Sequence, residues 1–338
     1  MLRFLASRLG TAVLVLFVLT LVVFVLSRVI PGDPAVVYAG PKAPPEELAR
    51  ISEKLGFDQP LFVQYFTYLG GLVTGDWGNS LATKQPVLDE LATRLPATLE
   101  LLFAALLIAV VFGIVLGVVA AKRPGKALDG AIRFLAIGGV SMPAFWLGLL
   151  LQVLFVGRLG WLPATGQFST EVEYVSPIAH VTGFPLFDSV ITGNWVAYGD
   201  GLAHLILPAL TLAAYPLGLI ARMTRASMLE VLGQDYVFTA SAFGLRSGII
   251  RWKLALKNAL PPTMTIIGLA AAYTLTGTFF VEVVFNWPGI GQFAVNAMLA
   301  VDYPAIMAIT LLGAAGYLIA NLVVDLIQAR LDPRVRLS

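Results

Sequence analysis

Three carboxylates, Glu100, Glu282 and Asp325, stand within or beside strongly apolar stretches, where a charge is costly and therefore marks a transport, pairing or orienting role. Glu100 and Glu282 fall close to one end of their segments and Asp325 close to the opposite end of its own. None is placed deep enough to suggest a proton relay. His180 and His204 are too isolated for a histidine-rich metal site, and the absence of cysteine removes thiol chemistry and disulfides. Pro124, Gly125 and Lys126 lack the upstream glycine and following hydroxyl of a phosphate-binding loop. With no nucleophile elbow and no paired-histidine motif either, the chain reads as non-catalytic, with no metal or cofactor of its own.

The elements that must position these groups are membrane-spanning. Of 338 residues, 58% are hydrophobic and only 12% charged, about half the charged share of soluble proteins, and the mean hydropathy is +0.84. Six stretches are long enough to cross a bilayer core: Gly10 to Val29, Thr98 to Ala121, Ile132 to Phe155, His204 to Ile220, Thr263 to Val284 and Tyr303 to Leu326. The fold class is therefore all-α and polytopic. The first run follows Arg3 and Arg8 but lacks a small-residue cleavage site, which favours a retained helix over an export signal. Pro208 and Pro216 make the fourth stretch the weakest. Pro143, with Ser141, Phe145 and Trp146, predicts a kink in the third, serving as a gate or as a fixed bend.

Lysine and arginine bias sets the orientation. With the N-terminus inside, fifteen of the 22 basic residues lie in inside segments, and the short loop Lys122 to Gly130 is strongly basic. Both termini are expected in the cytoplasm. On the outer side, Pro45 to Leu55 predicts an amphipathic helix, with Pro44 before it, Glu46 and Glu47 in its first turn and Gly56 after it. Gly71 to Leu81 predicts a turn, with Trp77 as an interfacial anchor. The connection Val156 to Ala203 predicts an irregular cap, with Trp161 at headgroup depth, His180 on the surface and His204 at an interface. Gly113 and Gly117 form a G-x-x-x-G pair suited to close helix packing.

One internal polar stretch has helical periodicity, Gln234 to Pro262, with Arg246, Arg251, Lys253 and Lys257. Leu229, Leu232, Tyr236, Ala240 and Phe243 predict a single apolar stripe ended by a left-handed Gly244. Such a helix is either a handle for another protein or a loop packed on its own bundle.

The stretch Asp235 to Pro261 resembles the cytoplasmic coupling segment of ABC importer permeases of the dipeptide and oligopeptide group. Asp235, Tyr236, Val237, Thr239, Ala240, Ala242, Gly244 and Leu245 carry the likeness, followed by Leu256, Asn258, Ala259, Leu260 and Pro261. It continues through Pro31-Gly32-Asp33-Pro34, Gly160-Trp161-Leu162-Pro163, Arg222-Met223-Thr224-Arg225, Glu282, Pro288-Gly289-Ile290-Gly291, Asp302-Tyr303-Pro304 and Leu331-Asp332-Pro333-Arg334. The sequence departs from the pattern at Phe238, Ser241 and Phe243, where charged residues are common, at Leu254 and at Gln328.

The resemblance implies a type I importer permease in a prokaryotic inner membrane. Its expected partners are a second homologous permease, two cytoplasmic ATPase subunits that hold ATP and Mg, an extracytoplasmic solute-binding protein and the lipid bilayer; nothing points to nucleic acid. Residues 1–97 would carry the first helix and external loop. Residues 98–338 would form the five-helix core, with an insertion at 157–203 and the coupling segment at 222–261. Asp235, Tyr236, Phe238, Thr239, Ala240, Phe243, Gly244 and Leu245 are the implied ATPase-coupling positions. Pro143, Asn258, Pro261, Glu282, Gly289 and Gly291 are candidate structural or gating positions. An ion-gradient carrier and a membrane assembly protein are the alternative readings.

Overall fold

The computed structural model describes residues 2–29, 34–39 and 43–331. Residues 31–33 and 332–334 of the family-like phrases, and Arg336, lie outside the described residues, as does the side chain of Gln328. In chain order the helices are α1 (Leu2–Val29), α2 (Pro34–Ala39), α3 (Pro45–Leu55), α4 (Leu61–Thr74), α5 (Val87–Ala121), α6 (Ala127–Ser141) and α7 (Ala144–Leu151). They continue with α8 (Thr170–Val175), α9 (Pro185–Ile191), α10 (Trp195–Leu232), α11 (Asp235–Ala242), α12 (Ser247–Ile249), α13 (Leu256–Val284), α14 (Ile290–Leu299) and α15 (Tyr303–Leu331). Wider π-helical turns follow α7, at Gln152–Arg158, and precede α13, at Ile250–Ala255.

Among the described residues five helices are long and apolar enough to cross a membrane, or six if α6 and α7 count as one broken span. The kink expected at Pro143 in the third segment is a sharp break. Pro143 offers no N–H, and Met142 takes an extended conformation, so the chain turns by 115° between the two helices. The fourth segment is corrected in the opposite sense. Pro208 and Pro216 are both buried inside α10, which runs unbroken for 38 residues. Surrounding helices provide the packing that lets a proline stay within a spanning helix.

The contacts divide the chain into two units, 1–95 with 292–318, and 96–291 with 319–338. In the first, the Tyr65 hydroxyl of α4 meets Thr20 Oγ1 of α1 at 2.9 Å, and the Tyr65 and Phe24 rings lie 5.3 Å apart. Arg28 donates to Gln64 and lies over the Phe57 ring, so the end of α1 is held to α4 and the turn before it. Helix α3 has the expected bounds and ends at Gly56, whose φ is +68°. Helix α4 was not expected; the predicted turn begins only after Thr74. The buried carboxylate of Asp302 accepts from Ser80 Oγ, Ala82 N and Ala305 N, which caps the start of α15.

In the second unit α10 is the centre. Its neighbours approach it through residues without bulk. A Cβ on Gly113 would lie 2.8 Å from Ile220, and one on Gly117 would lie 2.5 Å from Thr224 and 2.8 Å from the Ala221 carbonyl. The glycine pair thus places α5 nearly backbone-to-backbone against α10, as its spacing suggested. Gly139 of α6 meets the Ala214 carbonyl and Gly218 meets Ala136 in the same manner. Leu101, Ala105, Leu207, Leu212, Ile220 and Val281 fill the core between them.

The 152–200 stretch is more ordered than an irregular cap. Gln152 donates to the carbonyls of Ala164 and Val284, Gly166 N donates to Phe285 O, and Ser169 N to Asp200. Trp161 is exposed and so is His180, whereas His204 is buried, its Nδ1 2.9 Å from the Asp200 carbonyl. Asp188 is wholly buried and accepts from Val181 N, Thr182 N, Thr182 Oγ1 and Gly183 N. Burial alone would raise its pKa; the four hydrogen bonds outweigh it and hold the carboxyl below its ordinary 3.8.

Two outcomes test these contacts. Gly117→Leu must displace Thr224 or the α10 backbone and should cost about 1–3 kcal/mol, read as a lowered unfolding midpoint in mild detergent. Gly130→Leu, with open space at its Cβ, should change little. A depressed carboxylate stabilises the fold above its ordinary pKa and loses that contribution as pH falls through the folded value. Amide protection at residues 181–183, corrected for intrinsic exchange, should therefore hold from neutrality down to about pH 5 and weaken only below about pH 4. Asp188→Asn should weaken it at every pH.

Candidate coupling site and buried carboxylates

The predicted single stripe is carried on two helices. Helix α10 ends at Leu232, Gly233 and Gln234 interrupt it, and α11 begins at Asp235. Asp235 stands in the first turn, where a carboxylate suits the helix dipole. At the other end Gly244 N donates to Ser241 O and Leu245 N to Ala240 O, with Gly244 at φ +77°. These paired bonds form the Schellman ending, which satisfies two otherwise orphan carbonyls and requires the left-handed conformation at Gly244. Nothing lies within 4 Å of a Cβ built there, so the requirement for glycine is conformational and not spatial.

Helix α11 has an inner and an outer face. Val237 is buried, and the Tyr236 hydroxyl accepts from Asn258 Nδ2 at 2.7 Å, joining α11 to the first turn of α13. Tyr236, Leu229 and Leu232 pack on a buried cluster of Val118, Ala121, Met228, Val231, Ala255 and Ala259. The ends of α5, α10 and α13 therefore meet where α11 is attached. Phe238 and Phe243 lie on the other side, 64% and 81% exposed, and neither packs beneath the segment. Thr239 bonds back to the Asp235 carbonyl, Ala240 is half-buried, and Leu245 is exposed beyond the turn.

A second tie holds the neighbouring loop. Arg225 donates from Nε to Asp129 Oδ1 at 2.6 Å and from NH2 to Asp129 Oδ2 at 2.8 Å, and Gly125 N donates to the same carboxylate at 2.9 Å. Bidentate pairing fixes both distance and angle, so the start of α6 is held to the lower part of α10. Sequence reasoning named the Arg222-to-Arg225 phrase without this role. The available signal was the single acid, Asp129, in a loop otherwise full of lysine and arginine.

Glu282 stands at the far end of α13, which rises about 40 Å over its 29 residues. It is fully buried. Thr98 Oγ1 donates to its Oε1 at 2.7 Å and accepts from Ile290 N at 2.9 Å, while Gly291 N donates to Oε2 at 2.6 Å. A side chain at Gly289 would collide with the Glu282 carboxylate, and one at Gly291 with the Phe279 backbone. Trp287, also buried, donates to Ala97 O at 2.8 Å. Glu282, Gly289 and Gly291 are thus one cradle that closes the turn after α13 onto α5. Glu100 is used similarly, accepting from Gln167 Nε2, Leu186 N and Phe187 N.

The remaining candidates are separate from this cradle. Asp325 is half-buried on α15. Pro143 caps α7 at the break, and Asn258 belongs with Tyr236. Pro261 does not end a helix: with Pro262 it lies inside α13, beyond the π-helical stretch. The missing donors of the two prolines are accommodated without breaking the span.

Residues 113–337 match the binding-protein-dependent transport system inner membrane component, and residues 1–102 match the N-terminal model for such membrane components. A probable D,D-dipeptide transport system permease of Escherichia coli strain K12 is 45% identical over 96% of this chain and 94% of its own. A di/tripeptide transport system permease of Pseudomonas aeruginosa strain UCBPP-PA14 is 42% identical over 99% of both chains. A dipeptide transport system permease of Alkalihalophilus pseudofirmus is 40% identical over 99% of this chain and 100% of its own. The chain belongs to the family of inner-membrane permease subunits of binding-protein-dependent ABC importers.

Proposed function

We propose that this permease forms one half of an ATP-driven uptake route for short peptides and that α11 is the lever through which its ATPase partners move it. The observation that carries the reading is the two-faced construction of α11. Its inner face is rooted where three spanning helices end, and its outer face presents Phe238 and Phe243 to a partner. Burying two phenylalanines in a cleft supplies docking energy at roughly 25 cal/mol per Å², with little need for ion pairs. Asp235, Tyr236, Thr239, Ala240, Gly244 and Leu245 set the length, attachment and ending of the lever.

The complete transporter would contain a second, related permease, two ATPase subunits on the cytoplasmic side holding ATP and Mg, and a solute-binding protein outside. This chain would perform no hydrolysis and hold no cofactor. The basic loop Lys122 to Gly130 and the charges around α11 favour that face, and both termini, as cytoplasmic. Permeases similar to this one are named for D,D-dipeptide, dipeptide and di/tripeptide transport, which supports short peptides as cargo. A pocket in one chain cannot drive uphill uptake; partners that bind one conformation more tightly shift the population.

In the reconstituted transporter, Phe243→Ala should weaken ATPase association about tenfold and lower peptide uptake in parallel; unchanged association would remove the anchor role. Gly244→Val should cost about 1–2 kcal/mol in the left-handed turn and uncouple ATP turnover from uptake. Gly244→Asn, which tolerates that conformation, should retain most coupling. Equal behaviour of the two variants would refute the conformational account of the lever's end.

A further inference from the structure

The seam between α6 and α10 holds a groove of about 470 Å³, within the range of about 300–1,000 Å³ usual for small-molecule sites. Ile132, Ala136, Ile137 and Val140 form one wall, and Gly218 and Ala221 the other. Its two ends differ in chemistry. At one end stand Arg133, Arg222 and Arg225. Arg225 is committed to Asp129, whereas Arg133 and Arg222 are exposed and make no ion pair among the described residues.

At the other end is Ser141, the last residue before the break at Pro143. Met142 N donates to Gly138 O, but Pro143 has no N–H for Gly139 O. Among the described residues no main-chain donor reaches the carbonyls of Val140 or Ser141 either. Irregular backbone within a span is tolerated where it lines a cavity, and broken helices of this kind coordinate cargo in other transporters. The groove is therefore anion-seeking at one end, acceptor-rich at the other and apolar between.

We propose that this groove is a transit site for a zwitterionic di- or tripeptide, its carboxylate on Arg133 and Arg222 and its ammonium at the Ser141 break. The assignment rests on the peptide-importer reading and adds the residues that contact the cargo. Arg133 and Ser141 are eight residues apart on α6, roughly 12 Å along the axis. Two or three extended residues at about 3.3–3.6 Å each, together with the reach of the arginine side chains, match that span. An anionic lipid would use the cationic end and the apolar wall but leave the acceptors at the break unmet.

The test uses the complete transporter in proteoliposomes and the dipeptide L-alanyl-L-(4-benzoyl)phenylalanine, a photo-crosslinking probe, beside its C-terminal amide. Without binding protein, the free acid should label α6 or α10, and the amide about tenfold less, the loss expected for one charge-assisted contact. Arg133→Gln with Arg222→Gln should reduce free-acid labelling by a similar factor and abolish the preference over the amide, whereas the double lysine variant should keep it. Equal labelling by acid and amide in the unaltered protein overturns the proposal. So does retained preference in the glutamine variant, or displacement of the probe by phosphatidylglycerol but not by dialanine, which would assign the groove to lipid. Uptake of the free acid with binding protein present, measured alongside, separates the two readings. Vesicles that import it but show no selective labelling sink the site alone, and vesicles that import no peptide sink the transport reading.

Discussion

Within lipid, apolar side chains gain nothing by leaving their surroundings for one another, so spanning helices associate through close contact and satisfied polar groups. That constraint organises the second unit around α10. Gly113 and Gly117 bring α5 against it, Gly139 and Gly218 bring α6 against it, and each contact is close enough to exclude a single added carbon. The two internal prolines of α10 leave it unbroken and are buried among its neighbours.

The same constraint explains where the polar groups are spent. Glu282 is tied to Thr98 and to the backbone of the turn after α13, and Asp129 is tied to Arg225. One tie closes one end of the bundle and the other secures the opposite end. Between them, α13 joins the Asn258–Tyr236 bond at its base to the Glu282 cradle at its top. The cluster at which α11 is attached is shared by α5, α10 and α13, so a displacement of α11 would reach three spanning helices at once. The break at Pro143 gives the third span two separately oriented halves, which a continuous helix would lack.

Much of this was legible locally. The bounds of α3, the left-handed Gly244 and the packing role of Gly113 and Gly117 each follow from residues a few positions apart. Helix α4 was hidden because Gly70 and Gly71 resemble a turn; contacts of Tyr65 with α1 hold the helix through them. The third span's apolar content showed its length but not the angle at Pro143. The uses of Asp129, Glu100 and Glu282 each depend on a partner between 67 and 184 residues away, which no local pattern encodes. Phe238 and Phe243 were visible as departures from the family pattern, and their exposure settles that they do not pack under their own segment.

The central claim is that the outer face of α11 is an inward-facing docking surface for a separate ATPase. The native chain has no cysteine, so Phe243→Cys creates a unique reporter. In sealed vesicles carrying the permease pair, a membrane-impermeant maleimide should reach position 243 only from the cytoplasmic face, and addition of the ATPase subunits should block it. Labelling from the outer face, or labelling that the bound ATPases leave unchanged, would contradict the account.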